Sequence, residues 1–496
     1  MPKNKFCDFI KRHHVWAVAL FLGILPILSV ILACAADGRA FWDVSILNSA
    51  WNDELYYYKI VEGILHGGFP YGFFGFNESH ASILSFAAWS PLLYLPWVLF
   101  GAIFGWNLYS PIAANLFYLS LAMVAYGLLA KPSKKQVGLL TFLFFLFRPI
   151  ARYILSAMPE IVCMSLLLVF YGFYCHAVNT KEGDATEKAK RRDLVMMFIL
   201  AALLTMMRPY LGLFFILPCI LWIRHKRLQG IVGSLLILTT VISIYAWMQK
   251  TMTAQYLTPL YNTQWVRVFL GEGIFQGIYH VLFTIYNQGK MFLAFCIEAF
   301  RSGIYTGAYY CVFLATALIL AVYTISCRLA KRREEFYFHL YLTSCYFVML
   351  LAIFLMYQKM QESSKHLLTF TFLGIFVISN MKTRFYKKAV FIGMAFAFFF
   401  LTRTKVNEEY HIPYIDTAAQ EKYLVWKNDF ANHMALSTEQ IPSFDNVVIW
   451  GFDADTVGGS KLFDWHILYA LPKGFGISCC TKEYLTAQEQ NLQSRY

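Results

Sequence analysis

The sequence predicts an all-α polytopic membrane protein, and three observations carry that expectation. Apolar runs of about 20 residues, the length of one helical crossing, recur along the chain. Of its 496 residues 58% are hydrophobic and only 14% charged, with a mean hydropathy of +0.51, against about 45–50% and 25% in soluble domains. Such an excess has no place on a water-facing surface, which excludes a soluble enzyme, a disordered chain and a small disulfide scaffold. Third, basic residues cluster between the runs: Lys3, Lys5, Lys11 and Arg12; Lys131, Lys134 and Lys135; Lys181, Lys188, Lys190, Arg191 and Arg192; Arg224, Lys226 and Arg227; Arg328, Lys331, Arg332 and Arg333; Lys382, Arg384, Lys387 and Lys388. Placed on the cytoplasmic side, these clusters hold 23 of the 42 Lys and Arg but only 7 of the 29 Asp and Glu. The positive-inside rule then accounts for the whole net charge of +13, and nucleic acid is not an expected partner.

With the clusters inside, the expected crossings are Val15–Ala36, one within Trp89–Ala130, Val137–Leu155, Ile161–Ala177, Leu194–Met207, Tyr210–Ile223, Ile231–Met248, Gly307–Cys327, Phe336–Tyr357, Leu367–Asn380 and Ala389–Leu401. That makes about 11 transmembrane helices in residues 1–402, with a cytoplasmic N-terminus and an extracytoplasmic C-terminus. The stretch Trp89–Ala130 is too long for one crossing and is broken by Gly105 to Pro111. Two crossings there would invert every later loop, so a half-span or surface-lying helix is expected. The first run exceeds the 7–15 apolar residues of a signal peptide and reads as an uncleaved anchor despite Ala33-Cys34-Ala35. Most cysteines lie inside apolar runs, where they act as small hydrophobes, and no spacing suggests zinc. No internal repeat or inverted half is visible.

Three segments fall outside: 37–88, 249–306 and a polar region, 403–496, expected to hold a strand or two beside helices. In the first, Asn52 as N-cap, Asp53-Glu54 in the first turn and apolar residues at helical spacing up to His66-Gly67-Gly68 predict a helix lying on the membrane face with its acidic start in water. Acids at a helix start are favoured by the dipole, which alone would explain them. A second acid, Glu160 after Ser156-Ala157-Met158-Pro159, sits at the outer boundary of the membrane, where an ionisable group is a functional candidate. Cations share that face. Arg208-Pro209 joins two runs shorter than one crossing, a hairpin expected to present Arg208 at the outer surface. Lys359, Lys365 and His366 stand in an outer loop, and Arg148 and Arg152 lie near Glu160 in sequence. Arg suits bidentate phosphate recognition and Lys a point charge, while snorkelling at a span end explains Lys359 and Lys365 equally well. The aromatics Tyr256, Tyr261, Trp265, Phe269, Phe275 and Tyr279 suit an interfacial belt.

These residues carry a resemblance. The N-terminal span, the outer loop with its acidic pair, the Ser90-Pro91-Leu92-Leu93-Tyr94-Leu95-Pro96 stretch and the Ser-x-Met-Pro-Glu element together resemble the GT-C superfamily. Its members include polyprenyl-phosphate-sugar-dependent glycosyltransferases such as protein O-mannosyltransferases and aminoarabinose transferases. The loop text Gly75-Phe76-Asn77-Glu78-Ser79-His80 is similar to that of uncharacterised bacterial members, and a bacterial cell membrane is the implied location. The resemblance covers roughly residues 15 to 380.

What it implies is an inverting sugar transfer from a polyprenyl-phosphate donor to an extracytoplasmic glycan, lipid or protein acceptor. Asp53 would be the general base. Glu54 and Glu160 would orient the donor phosphate or, with Asp53, hold a divalent metal, Mg or Mn. Arg208, Lys365 and His366 would clamp the phosphate, with Asn77, Glu78, His80 and Arg148 in support. Base and charge stabilisation on opposite sides of an anomeric carbon is the arrangement this chemistry requires. The rivals are a transporter or flippase of lipid-linked saccharides, which would carry charge at the midplane of several spans, and a polysaccharide polymerase or ligase, which would lack the early acidic loop.

Overall fold

The computed structural model describes residues 3–49, 51, 53–68, 86, 90–179, 184–252, 263–302, 305–356, 364–381, 411–433, 447–452, 469–471, 476–481 and 486. Its helices are α1 Lys3–Ala36, α2 Asp53–Gly67, α3 Leu95–Phe104, α4 Ser110–Ala130, α5 Lys134–Leu146, α6 Pro149–Ile154, α7 Glu160–Asn179, α8 Asp184–Met207, α9 Ile216–His225, α10 Arg227–Thr251, α11 Gln264–Gly271, α12 Ile274–Ser302, α13 Tyr305–Leu329, α14 Arg333–Met356, α15 Ser364–Asn380 and α16 Thr417–His433. Two short strands, β1 Val447–Phe452 and β2 Gly476–Thr481, pair in parallel from Val447↔Gly476 to Phe452↔Thr481, within the region where the sequence suggests strands.

Among the described residues six helices are long and apolar enough to cross a membrane: α1 from His14, α4, α7, α10, α13 from Tyr309, and α14. Each coincides with an expected crossing. The expected Tyr210–Ile223 and Leu367–Asn380 correspond to shorter apolar helices, Pro209–His225 and Lys365–Asn380. Ala389–Leu401 lies outside the described residues. Within Trp89–Ala130 the ten-residue α3 precedes the 21-residue α4, one short helix beside one full crossing. Val137–Leu155 is not continuous: Pro149, which has no N–H to give a helix interior, starts α6 after a break at Phe147 and Arg148.

Packing follows the apolar faces. Helices α1, α4, α7 and α8 contact in sequence, α12 to α14 form a second group, and α15 touches α13, α5 and α7, joining the two. The α1–α4 contact is close because Gly127 has no Cβ: one added there would come within 2.7 Å of the Ala19 Cα.

Ion pairs show which loops share an end. Arg224 Nη1 lies 3.1 Å from Glu334 Oε2, and His225 Nε2 3.8 Å from Glu187 Oε2, gathering the starts of α8 and α14 and the end of α9, all in segments expected inside. At the other end Asp37 receives both Arg148, from the outer half of an expected crossing, and the Tyr414 hydroxyl, from a segment expected outside.

Two expectations are corrected. The second outer segment is not a loop but mostly helix, because apolar residues recur at helical spacing through its polar interruptions. It contains α11 and the 29-residue α12, with Phe275 and Tyr279 exposed and Phe292 packed on Tyr310 and Phe354. Trp265 and Phe269 are on α11, whereas Tyr256 and Tyr261 lie outside the described residues. Nor does α2 lie on the surface: Glu54, Leu55, Tyr56, Tyr57, Tyr58, Ile60 and Val61 are all buried. Apolar or aromatic residues occur on every side of this helix, so it has no polar face to give to water. Its two mid-helix charges satisfy each other, Lys59 Nζ lying 2.7 Å from Glu62 Oε2, and the chain's later part covers it. Lys59 also donates to the Leu471 carbonyl at 2.6 Å, and Tyr469 packs edge-on against Tyr58. Ser45 N–H donates to Pro413 and Ile415 N–H to Asp43, tying 411–416 to the same loop.

Candidate functional site

The site candidates meet where α2, α6, α7, α8 and α15 end or begin. Helix α2 starts at Asp53 and stops at Gly67, after which Gly68 takes a φ of +79° and donates its N–H to the Ile64 carbonyl, the conformation for which glycine is suited. The expected N-cap, Asn52, lies outside the described residues. The two acids of the first turn diverge. Glu54 is wholly buried, and Asp53 keeps 31% of its side chain exposed, so the expectation of an acidic pair facing water holds for Asp53 only.

Glu54 is fixed by three elements. Its Oε1 accepts from the Ser49 hydroxyl and from Arg152 Nη2 at 3.3 Å, and its Oε2 from the Ala157 N–H at 2.8 Å. Burial pushes this carboxyl above the ordinary carboxylate range, against the opposite pull of Arg152, Ser49 and the Ala157 amide. Arg152, on α6, also donates to Ser49 Oγ at 2.9 Å and lies over the Trp51 ring, 3.7 Å from its centroid. That places the first turn of α2 against the α6–α7 corner.

The corner itself is held from α4. Asn115, fully buried, donates to the carbonyls of Tyr153, Ile154 and Ser156 and accepts from Trp97 Nε1 at 3.2 Å. Three residues after Ala157, α7 begins with Glu160, whose Oε1 is 2.5 Å from Arg208 Nη2. Both are buried. Arg208 is therefore not presented at the surface as expected. It closes the end of the 24-residue α8 against the start of α7, where its charge is neutralised. The 3-10 helix Pro209–Phe215 follows, and its Tyr210 receives His366 edge-on at 5.0 Å. His366 is completely buried, and Lys365 before it extends to Asp53, Nζ to Oδ2 2.8 Å.

The structure thus brings together Asp53 with Lys365, Glu54 with Arg152, and Glu160 with Arg208, the last beside His366 through Tyr210. Arg148 does not join them: its described acid partner is Asp37 at the end of α1, and Arg152, not Arg148, reaches the acidic pair. Asn77, Glu78, His80 and Lys359 lie outside the described residues. Arg152 is among the cations near Glu160 in sequence but has no expected role there, and Ser49, Trp51 and Asn115 are not among the expected site residues. Asn115, a polar residue in an apolar run, carried the one available signal.

A divalent metal on Asp53 and Glu160 does not fit this donor set. Such ions take several oxygen ligands; here each carboxylate faces a cationic side chain, and among the described residues no three His, Cys, Asp or Glu side chains gather. No step below is routed through one.

No protein-family model matches the chain, and no curated protein sequence does. Among solved structures, the chain is similar to the Archaeoglobus fulgidus oligosaccharyltransferase tethered with an acceptor peptide containing the NVT sequon, at 13% identity and a TM-score of 0.48, over 96% of this chain and 64% of that one. It is similar to the same organism's oligosaccharyltransferase AglB in complex with an inhibitory peptide and a dolichol-phosphate, at 13% identity and a TM-score of 0.45, over 94% and 65%. ArnT from Cupriavidus metallidurans bound to undecaprenyl phosphate matches at 10% identity and a TM-score of 0.47, over 95% and 88%. The chain spans just under two thirds of the oligosaccharyltransferases.

Proposed function

We propose that the protein is an integral-membrane glycosyltransferase that moves a sugar from a polyprenyl-phosphate donor to an extracytoplasmic acceptor, with inversion. One observation carries this reading: of the three acid–cation pairs around the site, only Asp53–Lys365 is open to solvent, and it offers a candidate base and a candidate phosphate ligand on facing elements. The sequence resemblance assigns the same acid the same role.

In this reading an acceptor hydroxyl gives its proton to an Asp53 carboxylate oxygen as its own oxygen attacks the anomeric carbon. The bond from that carbon to the phosphate oxygen breaks, and the electron pair leaves on the phosphate. Lys365 stabilises the departing charge. Arg208 and His366 are both fully buried, and His366, packed on Tyr210, fixes the start of α15. The buried Arg152–Glu54 pair holds α2 so that Asp53 keeps its position while the reaction proceeds.

The test is transfer of radiolabelled sugar from a panel of polyprenyl-phosphate sugars by purified protein, wild type beside Asp53→Asn. Loss of the base is expected to lower turnover about 10²- to 10⁴-fold with the thermal transition intact. Equal turnover in the two proteins removes Asp53 from the mechanism, and flipping of a labelled lipid without transfer from any donor replaces this reading with a transporter.

A further inference from the structure

We propose that the Asp53–Lys365 ion pair is a latch that the donor's phosphate opens, so that the base is released only when the donor is in place. The inference rests on the glycosyltransferase reading and adds an order of events to it.

The geometry separates this pair from its neighbours. Glu54–Arg152 and Glu160–Arg208 have side-chain exposures of 0–2%. Parting either strands a charge away from water, which is strongly unfavourable. Lys365 and Asp53 are 25% and 31% exposed, and an ion pair in that setting is weak because water screens and replaces it. Of the three, this pair alone can exchange partners at small cost.

The chemistry of the two groups gives the exchange a direction. With Lys365 Nζ at 2.8 Å, one of the two Asp53 oxygens is already occupied by an ammonium donor, on the carboxylate that is to accept the proton of the incoming hydroxyl. Lys365 carries three donors on a flexible stem and binds phosphate as a point charge. The donor's phosphodiester carries one negative charge and two free oxygens, as the carboxylate does, so the ammonium can pass to it at little cost, and the transfer is reinforced as the leaving phosphate gains a second charge. Once the ammonium has moved, the carboxylate is left to the acceptor. Movement of the side chain is sufficient, because the start of α15 is anchored next door by His366, buried against Tyr210.

A latch of this kind has a thermodynamic signature. The pair must open before the phosphate is fully engaged, so apparent donor affinity is the intrinsic affinity multiplied by the fraction of protein in which it is open. Removing Asp53 should therefore tighten phosphate binding, and only while Lys365 is present.

The experiment measures binding of a fluorescent polyprenyl phosphate to the full-length protein in detergent, for wild type, Asp53→Asn, Lys365→Met and the double variant. Inorganic phosphate and the phosphate-free polyprenol are titrated in parallel. Asp53→Asn is expected to bind polyprenyl phosphate about two- to fivefold more tightly than wild type, the fold-change of a partly exposed ion pair. Lys365→Met is expected to bind more weakly, Asp53→Asn to add nothing in that background, and polyprenol to bind all four alike. The same gain with inorganic phosphate assigns the trigger to the anion itself; a gain confined to the lipid assigns it to a headgroup delivered from the membrane. Equal tightening with and without Lys365 would mean that Asp53 merely repels the phosphate and would overturn the latch, as would an unchanged or weakened Asp53→Asn complex. If polyprenyl phosphate bound none of the four proteins, the donor assignment would fall together with the latch, whereas binding without coupling between the two residues removes the latch alone.

Discussion

The two ends of the helix bundle use charge in opposite ways. At the end rich in Lys and Arg, the ion pairs are wet: Arg224–Glu334 has side-chain exposures of 39% and 78%, and His225–Glu187 59% and 64%. Asp193 is the exception, buried between His176 and Arg192. At the other end two of the carboxylates, Glu54 and Glu160, are sealed with an arginine each. A surplus of exposed charge acts through its sign and position along the chain, which is how topology is specified. A buried pair acts through geometry, since each member is tolerable only while the other stays in place. The first kind can be replaced residue by residue with little effect; the second cannot.

The largest effect is expected where that contrast is sharpest. Arg208→Leu leaves the Glu160 carboxylate buried without its cation and is expected to destabilise the protein by about 3–5 kcal/mol, read as a fall in the thermal midpoint of the detergent-solubilised protein. Adding Glu160→Leu should recover most of the loss, because two apolar side chains are left with no stranded charge. A double variant as unstable as the single one would show that the pair's electrostatics are not the cause.

Next in size is Asn115, the uncharged support of the same end. Asn115→Ala removes the donor that three carbonyls of the α6–α7 corner share and is expected to cost about 1–3 kcal/mol. The corner carries both Arg152 and Glu160, so sugar transfer should fall further than stability alone explains. Unchanged transfer in a protein of lowered midpoint would show that the corner does not position the site.

How much of this could be read from the sequence follows from the range of each interaction. Crossings are local: α1, α4, α7, α10, α13 and α14 each announce themselves as an unbroken apolar run. Asp53, Glu160, Arg208 and Lys365 could be nominated because a charge beside such a run is conspicuous. Their pairing could not. Glu54 and Arg152 are 98 positions apart, Asp53 and Lys365 312 apart, and no local pattern encodes which acid meets which cation. Burial of α2 was hidden for the same reason, since Tyr469 and Leu471, which cover it, come from the far end of the chain. Arg208 was misplaced because two short runs flanking Arg-Pro look like a hairpin tip, whereas its partner Glu160 lies 48 positions away and leaves no local trace.

A smaller effect distinguishes Glu54 from the exposed acids through pH. Burial raises its folded-state pKa above the ordinary value of 4.5, so the folded protein holds this proton more tightly than the unfolded chain does. The sign is then fixed: Glu54's contribution to stability falls as pH rises from the unfolded pKa through the raised folded one, and is constant above it. Thermal midpoints across that range, for wild type and Glu54→Gln, isolate the contribution as a difference. A difference that is flat with pH, or that grows in the opposite direction, would mean that Arg152, Ser49 and the Ala157 amide outweigh burial.

The smallest effect is predicted for Arg224→Gln, at the wet end. Its guanidinium reaches Glu334 at 3.1 Å and stacks on Tyr337 at 4.5 Å, contacts that would look important in a drawing. Both charged groups are substantially hydrated, so removing one member leaves the other in water, and the change in stability is expected to stay within about 0.5 kcal/mol. One positive charge among the 23 of the basic clusters also leaves their sign intact, so insertion should keep its orientation, checked by accessibility of a single cysteine introduced at exposed Lys226. A loss comparable with that of Arg208→Leu would erase the distinction between the two ends and make exposure a poor guide to which charges this protein depends on.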